Sequence, residues 1–227
     1  MKSLGVGLLA MFVTTAAFAE DATTTPDTSP PPPAAPAQVK PGDVWDYEVR
    51  DGLTDKPRST INVTVTDVSA SEIDARVHRT QATSNHENTW IVVYDRNWRT
   101  KENGEWRYSP PNDSFGVPDQ IAVKKTWTYS RESKRATPAT TSKARGTANV
   151  IAWERVTLPS GASYDAYRIE FVETVFPVVN NVKIESRIVE WYAPSVNRYV
   201  KRSWDTHQNG KFFDGEVEYL TSYEPQS

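Results

Sequence analysis

The sequence of 227 residues contains no cysteine. This absence excludes disulfide bonds, thiolate metal sites and a lipid anchor attached to a cysteine. A chain without covalent cross-links must be held together by its core alone.

Histidine is also scarce, with only His78, His86 and His207 in the chain. A zinc site needs three or four ligands, and no two of these histidines are close in sequence. We therefore predict no metal site and no cofactor. No Gly-x-Ser-x-Gly motif occurs, and Ser160 and Ser195 lie in turn-like segments. We accordingly predict no catalytic residue.

Helical periodicity is the third absence, because no segment after residue 19 repeats apolar residues at helical spacing over three turns. Alternating runs are common instead, and Ile61, Val63 and Val65 are separated by polar residues. Asn-Gly pairs at 103–104 and 209–210 indicate hairpins. We expect an all-β fold with little helix: a curled antiparallel meander of about 10–12 strands, forming an open or half barrel.

The N-terminus indicates export. Met1-Lys2 precedes an apolar run from Leu4 to Phe18, and Ala17-Phe18-Ala19 has the small-x-small cleavage pattern. We predict a cleavable signal peptide at 1–19 and a periplasmic or secreted bacterial protein without a lipid anchor. The apolar run is shorter than the roughly 20 residues of a spanning helix, so no transmembrane span is expected after cleavage.

Residues 20–38 are rich in Pro, Thr and Ala and lack large apolar side chains, so we predict a disordered linker. Residues 39–223 are then expected to form a single β-rich domain. Loss of Lys2 with the signal peptide leaves 25 basic and 29 acidic residues, a net charge of −4. This acidity argues against nucleic acid as a partner.

A basic segment runs from Lys124 to Arg145 and contains one acid, Glu132. It predicts either contacts with an anionic group or a solvated segment that protects a sheet edge. The candidates for anionic contacts are Lys124, Lys125, Arg131, Lys134 and Arg135.

Aromatic residues are abundant, with eight Trp, ten Tyr and seven Phe. On a concave sheet face they would line a cavity for an amphipathic, lipid-like ligand. Alternation does not distinguish such a cavity wall from a packed core. The candidate ligand-binding residues are Trp45, Trp90, Trp127, Trp153, Trp191 and Tyr192.

Carboxylates recur on the predicted strands, at Glu170 and Glu173, at Glu185 and Glu190, and at alternate positions from 214 to 218. Two carboxylates in a cleft would suit a carbohydrate-active enzyme. The same pattern is typical of the solvent face of an outer strand. We expect Asp214, Glu216 and Glu218 to face solvent.

Several short motifs resemble a bacterial periplasmic family of unknown function. They are Pro41-Gly-Asp-Val-Trp-Asp-Tyr47, Tyr108-Ser-Pro-Pro111, Leu158-Pro-Ser-Gly161 and Glu190-Trp-Tyr-Ala-Pro194. Members of that family are similar to the open β-barrel lipoprotein carrier and receptor (Lol-like) group, which hold lipid in an apolar cavity. The resemblance implies an open barrel and a lipid-like ligand.

These observations favour a non-enzymatic binding protein for an amphipathic ligand. One alternative is a structural or adaptor domain of the cell envelope that binds another protein. A weaker alternative is a carbohydrate-active enzyme.

Overall fold

The computed structural model describes residues 38–84, 86–177 and 182–226. The predicted signal peptide and residues 20–37 of the predicted linker lie outside the described residues. The strands are β1 (Val44–Asp51), β2 (Pro57–Val68), β3 (Glu72–Gln81), β4 (Glu87–Asp95), β5 (Thr100–Asn103), β6 (Trp106–Asn112), β7 (Thr126–Arg135), β8 (Thr140–Thr157), β9 (Ser163–Pro177), β10 (Ile184–Ala193), β11 (Arg198–Gln208) and β12 (Lys211–Glu224). Two single-turn 3₁₀ helices, Asp113–Phe115 and Pro194–Val196, are the helical segments within the described ranges.

The strands form a closed antiparallel barrel in which every strand pairs with its sequence neighbours. Closure comes from β1 and β12, which pair from Val44 with Glu224 to Asp51 with Glu216. The prediction of an all-β antiparallel meander with little helix is confirmed. The prediction of an open or half barrel is wrong, because β1 and β12 use each other's free backbone groups and leave no sheet edge.

Hairpin turns follow the Asn-Gly signals. Gly104 has φ +56° between β5 and β6, while Asn209 (φ 51°) and Gly210 (φ +77°) join β11 to β12. Glycine and asparagine tolerate this left-handed region, which gives a tight turn the twist of its flanking strands. These turns set the register that carries the interior side chains.

Part of the barrel interior is an apolar core. Its largest fully buried side chains include Trp45, Tyr47, Tyr167, Phe171 and Leu220. Trp45 stacks on Tyr223 with ring centroids 5.2 Å apart, and Tyr47 stacks on Tyr199 at 4.6 Å. The aromatic load therefore serves in large part to fill the core between the strands.

The acidic face of β12, which was predicted to face solvent, faces the barrel interior. Glu216 and Glu218 are only 6% and 4% exposed, whereas Phe213 is 68% exposed. The expectation of solvent-facing acids is wrong at these two positions, and Asp214 is half-buried. Partly buried arginines account for the inversion, since Arg79 contacts Glu216 at 2.6 Å. A carboxylate is tolerated inside a barrel when a cation is buried with it.

The segment after β6 enters the barrel rather than crossing its surface. The hydroxyl of the buried Ser114 donates to Glu173 Oε2 at 3.2 Å. Arg131 of β7 holds the same carboxylate through two hydrogen bonds, of 2.7 and 3.0 Å. Phe115 lies beneath the guanidinium of Arg202, 4.7 Å from the ring centroid. The 3₁₀ turn at 113–115 thus forms part of the wall of an interior site.

Candidate functional site

The site begins with an irregularity in the pairing of β10 and β11. Trp191 pairs with Lys201 and Tyr192 pairs with Tyr199, which leaves Val200 without a partner. This bulge shifts the alternation by one residue. As a result, Tyr199 and Arg202 are both directed to the interior although they are three positions apart, where they meet Glu218.

A residue in the left-handed backbone conformation positions Arg198 in the same part of the barrel interior. The 3₁₀ turn at 194–196 ends on Asn197, which has φ 55°, and β11 begins at the next residue. Arg198 is 5% exposed. Its guanidinium lies 4.4 Å from the ring centroid of Trp98 and 5.2 Å from those of Tyr94 and Tyr199. Aromatic rings therefore surround this buried cation.

The polar contacts of Arg198 are with tyrosines. Its Nη2 donates to the hydroxyl of Tyr94 at 3.2 Å, and Tyr47 also interacts with it. Its Nε has no hydrogen-bond partner within the described residues. No carboxylate of the described chain lies within ion-pair distance of it. Burial acts to lower the pKa of Arg198, but the surrounding tyrosines outweigh it and keep this pKa above the ordinary value.

Trp98 reaches Arg198 from the turn between β4 and β5. It has φ 61°, which is unusual for a large side chain. Its indole Nε1 donates to the carbonyl oxygen of Asn197 at 2.6 Å. This hydrogen bond connects the turn before β5 to the turn before β11. A strained residue of this kind costs about 1–3 kcal/mol and is found preferentially at functional sites.

Arg202 is paired, in contrast to Arg198. Its Nη2 donates to Glu218 Oε2 at 2.7 Å and to the hydroxyl of Tyr199 at 3.0 Å. The Tyr199 hydroxyl in turn donates to Glu218 Oε2 at 2.6 Å. Burial raises the pKa of Tyr199 well above its ordinary value, so its hydroxyl remains protonated. Arg202 is therefore neutralised within the protein.

Glu190 is the acid that this network leaves unsatisfied. It is 2% exposed, and its Oε2 lacks a hydrogen-bond partner among the described residues. The nearest guanidinium nitrogen, Nη1 of Arg202, lies 4.0 Å away. Burial raises the pKa of Glu190 to about 7, against the opposing effect of Arg202 and Arg198. Glu190 therefore changes between its protonated and ionised forms near neutral pH.

These groups line a cavity of about 160 Å³ inside the barrel. The wall combines charged, hydroxyl, amide and apolar side chains from β4, β5, β6, β10 and β11 and from the turns beside them. The lining residues are Val92, Tyr94, Trp98, Thr100, Asn103, Tyr108, Asn112, Phe115, Glu190, Tyr192, Arg198, Tyr199 and Arg202.

The aromatic residues proposed from the sequence are scattered through the barrel. Tyr192 lines the cavity, and Trp45 lies beside it with its ring centroid 5.6 Å from the Arg198 guanidinium. The other candidates are half-buried residues packed against the core and away from the cavity wall. They are Trp90, Trp127, Trp153 and Trp191.

The basic candidates lie on the β7–β8 hairpin and on the segment before it, and do not converge. Arg131 is bound to Glu173 in the interior, whereas Lys134 pairs with Glu132 at 2.7 Å. Lys125 Nζ donates to the carbonyl oxygen of Gln120, Arg135 lies over Trp106, and Lys124 is exposed. Their contact with an anionic group stays a prediction.

Two of the cavity residues, Tyr192 and Glu190, were singled out from the sequence, whereas Trp98, Arg198, Tyr199 and Arg202 were not. Strict alternation places Tyr199 and Arg202 on opposite faces, and only the bulge brings them together. Arg198 and Trp98 depend on left-handed turn residues whose position in space is set by distant strands. The one available signal was Glu190, an acid in an otherwise apolar run from Ile188 to Ala193.

Two features are absent among the described residues. No group of three or more His, Cys, Asp or Glu side chains is placed to hold a metal ion there. No helix among them is long and apolar enough to cross a membrane.

The fold is similar to that of two solved structures. One is a "putative exported protein with YmcC-like fold" from Bacteroides fragilis, with a TM-score of 0.55, 12% identity, and coverage of 85% of this chain and 99% of that chain. The other is a "putative lipoprotein" from Parabacteroides distasonis, with a TM-score of 0.58, 14% identity and the same coverages. At these identities the likeness shows the fold alone.

No protein-family model matches the chain, and no curated protein sequence matches it. Neither of the two similar structures is described as a lipoprotein carrier or receptor. The comparisons therefore support a barrel fold found in uncharacterised proteins, and they give no support to the Lol-like resemblance.

Proposed function

We propose that this protein is an exported, non-enzymatic binding protein of the bacterial cell envelope that holds a compact ligand inside its barrel. The observation that carries the proposal is the interior cavity, whose lining residues Arg198, Arg202 and Glu190 each have a buried polar atom without a partner among the described residues. Buried polar groups are normally satisfied, and an unsatisfied one at a cavity wall is a natural point of contact for a ligand. The signal-like N-terminus supports export, in agreement with the names of the two similar structures.

The size of the cavity selects the ligand. At about 160 Å³ it is close to an engineered cavity of about 150 Å³ that binds benzene, and well below the roughly 300–1,000 Å³ of pockets for drug-sized molecules. The long acyl chain of a membrane lipid exceeds this volume. We therefore replace the lipid-like ligand expected from the sequence with a molecule of only a few heavy atoms.

The distribution of carboxylates supports binding rather than glycoside hydrolysis. Hydrolysis requires two carboxyl groups about 5–10 Å apart on either side of the sugar. Glu190 is the one acidic residue in the described cavity wall. Glu218 is held by Arg202 and Tyr199 and does not line the cavity.

The test is to fill the cavity from within. Val92 is a buried residue of β4 in the cavity wall, so Val92→Phe should occupy much of the space. The matched control is Val172→Phe, the same change at an exposed position of β9. We expect a thermal-shift screen of compact molecules to find compounds that raise the melting temperature of the wild type and of the control, but not of Val92→Phe.

Small molecules released by denaturing protein purified from the envelope provide an independent measurement. We expect a compact compound to be recovered from the wild type and the control, and not from Val92→Phe. If no compound distinguishes the wild type from Val92→Phe in either experiment, the cavity is not a ligand site and the proposal is refuted.

A further inference from the structure

We infer that the ligand is a small carboxylate whose anionic group is bound by Arg198. The inference rests on the proposed function and adds a ligand class to it.

Arg198 differs from four partly buried arginines of the chain. Each of the four reaches a carboxylate oxygen of the protein at 2.6–2.8 Å. These four are Arg58, Arg79, Arg131 and Arg202. Arg198, which is more deeply buried than any of them, has no such partner in the described chain. Burying a cation alone is costly, so an anion that enters beside Arg198 gains the interaction that the protein supplies to the other four.

The geometry around the Arg198 guanidinium also favours a carboxylate. The ring of Trp98 covers one side of the guanidinium at 4.4 Å. The donors of a stacked guanidinium lie in its plane, at its edge rather than beneath the ring. Nε has no acceptor within the described residues, and Nη2 has only the Tyr94 hydroxyl at 3.2 Å. A planar carboxylate matches such a pair of parallel donors.

Glu190 can contribute to the same site. It lines the same cavity as Arg198, and its Oε2 has no partner among the described residues. When protonated, this carboxyl group donates a hydrogen bond and adds no negative charge, so it is compatible with a bound anion. Because burial raises its pKa to about 7, the protonated form is well populated near neutral pH. Tyr94 and Tyr199 provide further hydroxyl groups in the wall.

The rest of the wall limits the body of the ligand. Val92, Phe115 and the ring of Trp98 offer apolar surface, within a total volume of about 160 Å³. A short aliphatic chain attached to the carboxylate fits this environment. The inferred class is therefore a short-chain monocarboxylate.

The experiment compares three probes by calorimetry: butyrate, its neutral isostere butyramide, and butylamine, a cation of similar length. We expect butyrate to bind and the other two to bind at least about tenfold more weakly, as follows from losing charge-assisted hydrogen bonds. Arg198→Met should weaken butyrate binding by at least about tenfold. The control Arg155→Met, at an exposed position of β8, should leave butyrate binding unchanged.

The comparison of probes on the wild type does not depend on a variant, so it remains decisive if Arg198→Met fails to fold. Equal binding of butyramide, or tighter binding of butylamine, would overturn the carboxylate inference. So would unchanged butyrate binding by a folded Arg198→Met protein. If butyrate does not bind but neutral compounds still distinguish the wild type from Val92→Phe, the ligand class is wrong and the proposed function stands.

Discussion

Replacing Glu190 with glutamine should stabilise the protein at neutral and alkaline pH. Burial raises the pKa of Glu190 in the folded state from the ordinary 4.5 to about 7. The folded state therefore holds this proton more tightly than the unfolded chain. The effect on stability is absent below pH 4.5, where the group is protonated in both states. As the pH rises from 4.5 to 7, ionisation of Glu190 increasingly destabilises the folded state, and above pH 7 the destabilisation has reached its full size.

The magnitude follows from the two pKa values. At about 1.4 kcal/mol for each pH unit between them, ionised Glu190 costs the folded state about 3 kcal/mol at pH 8. Glutamine resembles the protonated acid and stays neutral at every pH. Glu190→Gln should therefore raise the free energy of unfolding by up to about 3 kcal/mol at pH 8 and by nearly nothing at pH 4.5. For a domain of this size the gain corresponds to roughly 6–12 °C in melting temperature.

The assay is urea denaturation followed by tryptophan fluorescence, at several pH values from 4.5 to 8. The control is Glu185→Gln at the start of the same strand, where a hydrogen bond from Lys183 lowers the pKa of the carboxyl group. Removing that charge should give no gain at pH 8, because a lowered pKa means that the ionised form is favoured in the folded state. A Glu190→Gln protein that is no more stable at pH 8, or equally stabilised at both ends of the range, would refute the reasoning.

Two further predictions concern the interior. Glu173→Leu leaves the buried Arg131 without its partner, which is expected to lower the free energy of unfolding by about 3–5 kcal/mol in urea denaturation. Adding Arg131→Met should recover most of this loss, and an unchanged loss in the double variant would contradict the ion-pair explanation. Gly146→Ala should lower the free energy of unfolding by about 1–3 kcal/mol. The new Cβ would lie 2.5 Å from the Tyr129 side chain and 2.8 Å from the carbonyl oxygen of Val172. A melting temperature equal to that of the wild type would show that β8 relaxes without cost.

Local signals in the sequence were sufficient for most of the strands and turns. The run from Ile61 to Val65 forms part of β2, and the pairs at 103–104 and 209–210 lie at hairpin turns. Closure was not visible, because it depends on β1 pairing with β12 across most of the chain. A local pattern contains no information on whether two distant strands meet.

The candidate site was harder to predict for a different reason. Alternation gives a strand two faces without identifying the inner one, and polarity is the usual guide to that choice. In β12 this guide fails, since Glu216 and Glu218 are buried and Phe213 is exposed. The charge of Glu216 is compensated from a strand far away in sequence, by Arg79 of β3. For the same reason, the sequence does not reveal that Arg198 has no carboxylate partner in the described chain.

The pairing of β1 with β12 has a consequence for how the chain folds. Eleven of the twelve strand pairings join neighbours in sequence, and each of these hairpins can form as soon as its two strands are available. The remaining one must bring Val44 to Glu224 and is the entropically demanding step. Until Lys211–Glu224 is in place, β1 and β11 both present unpaired backbone groups. A chain that lacks its last strand is therefore an open sheet with two edges that can pair with strands of other molecules. Addition of β12 closes the barrel and removes both edges.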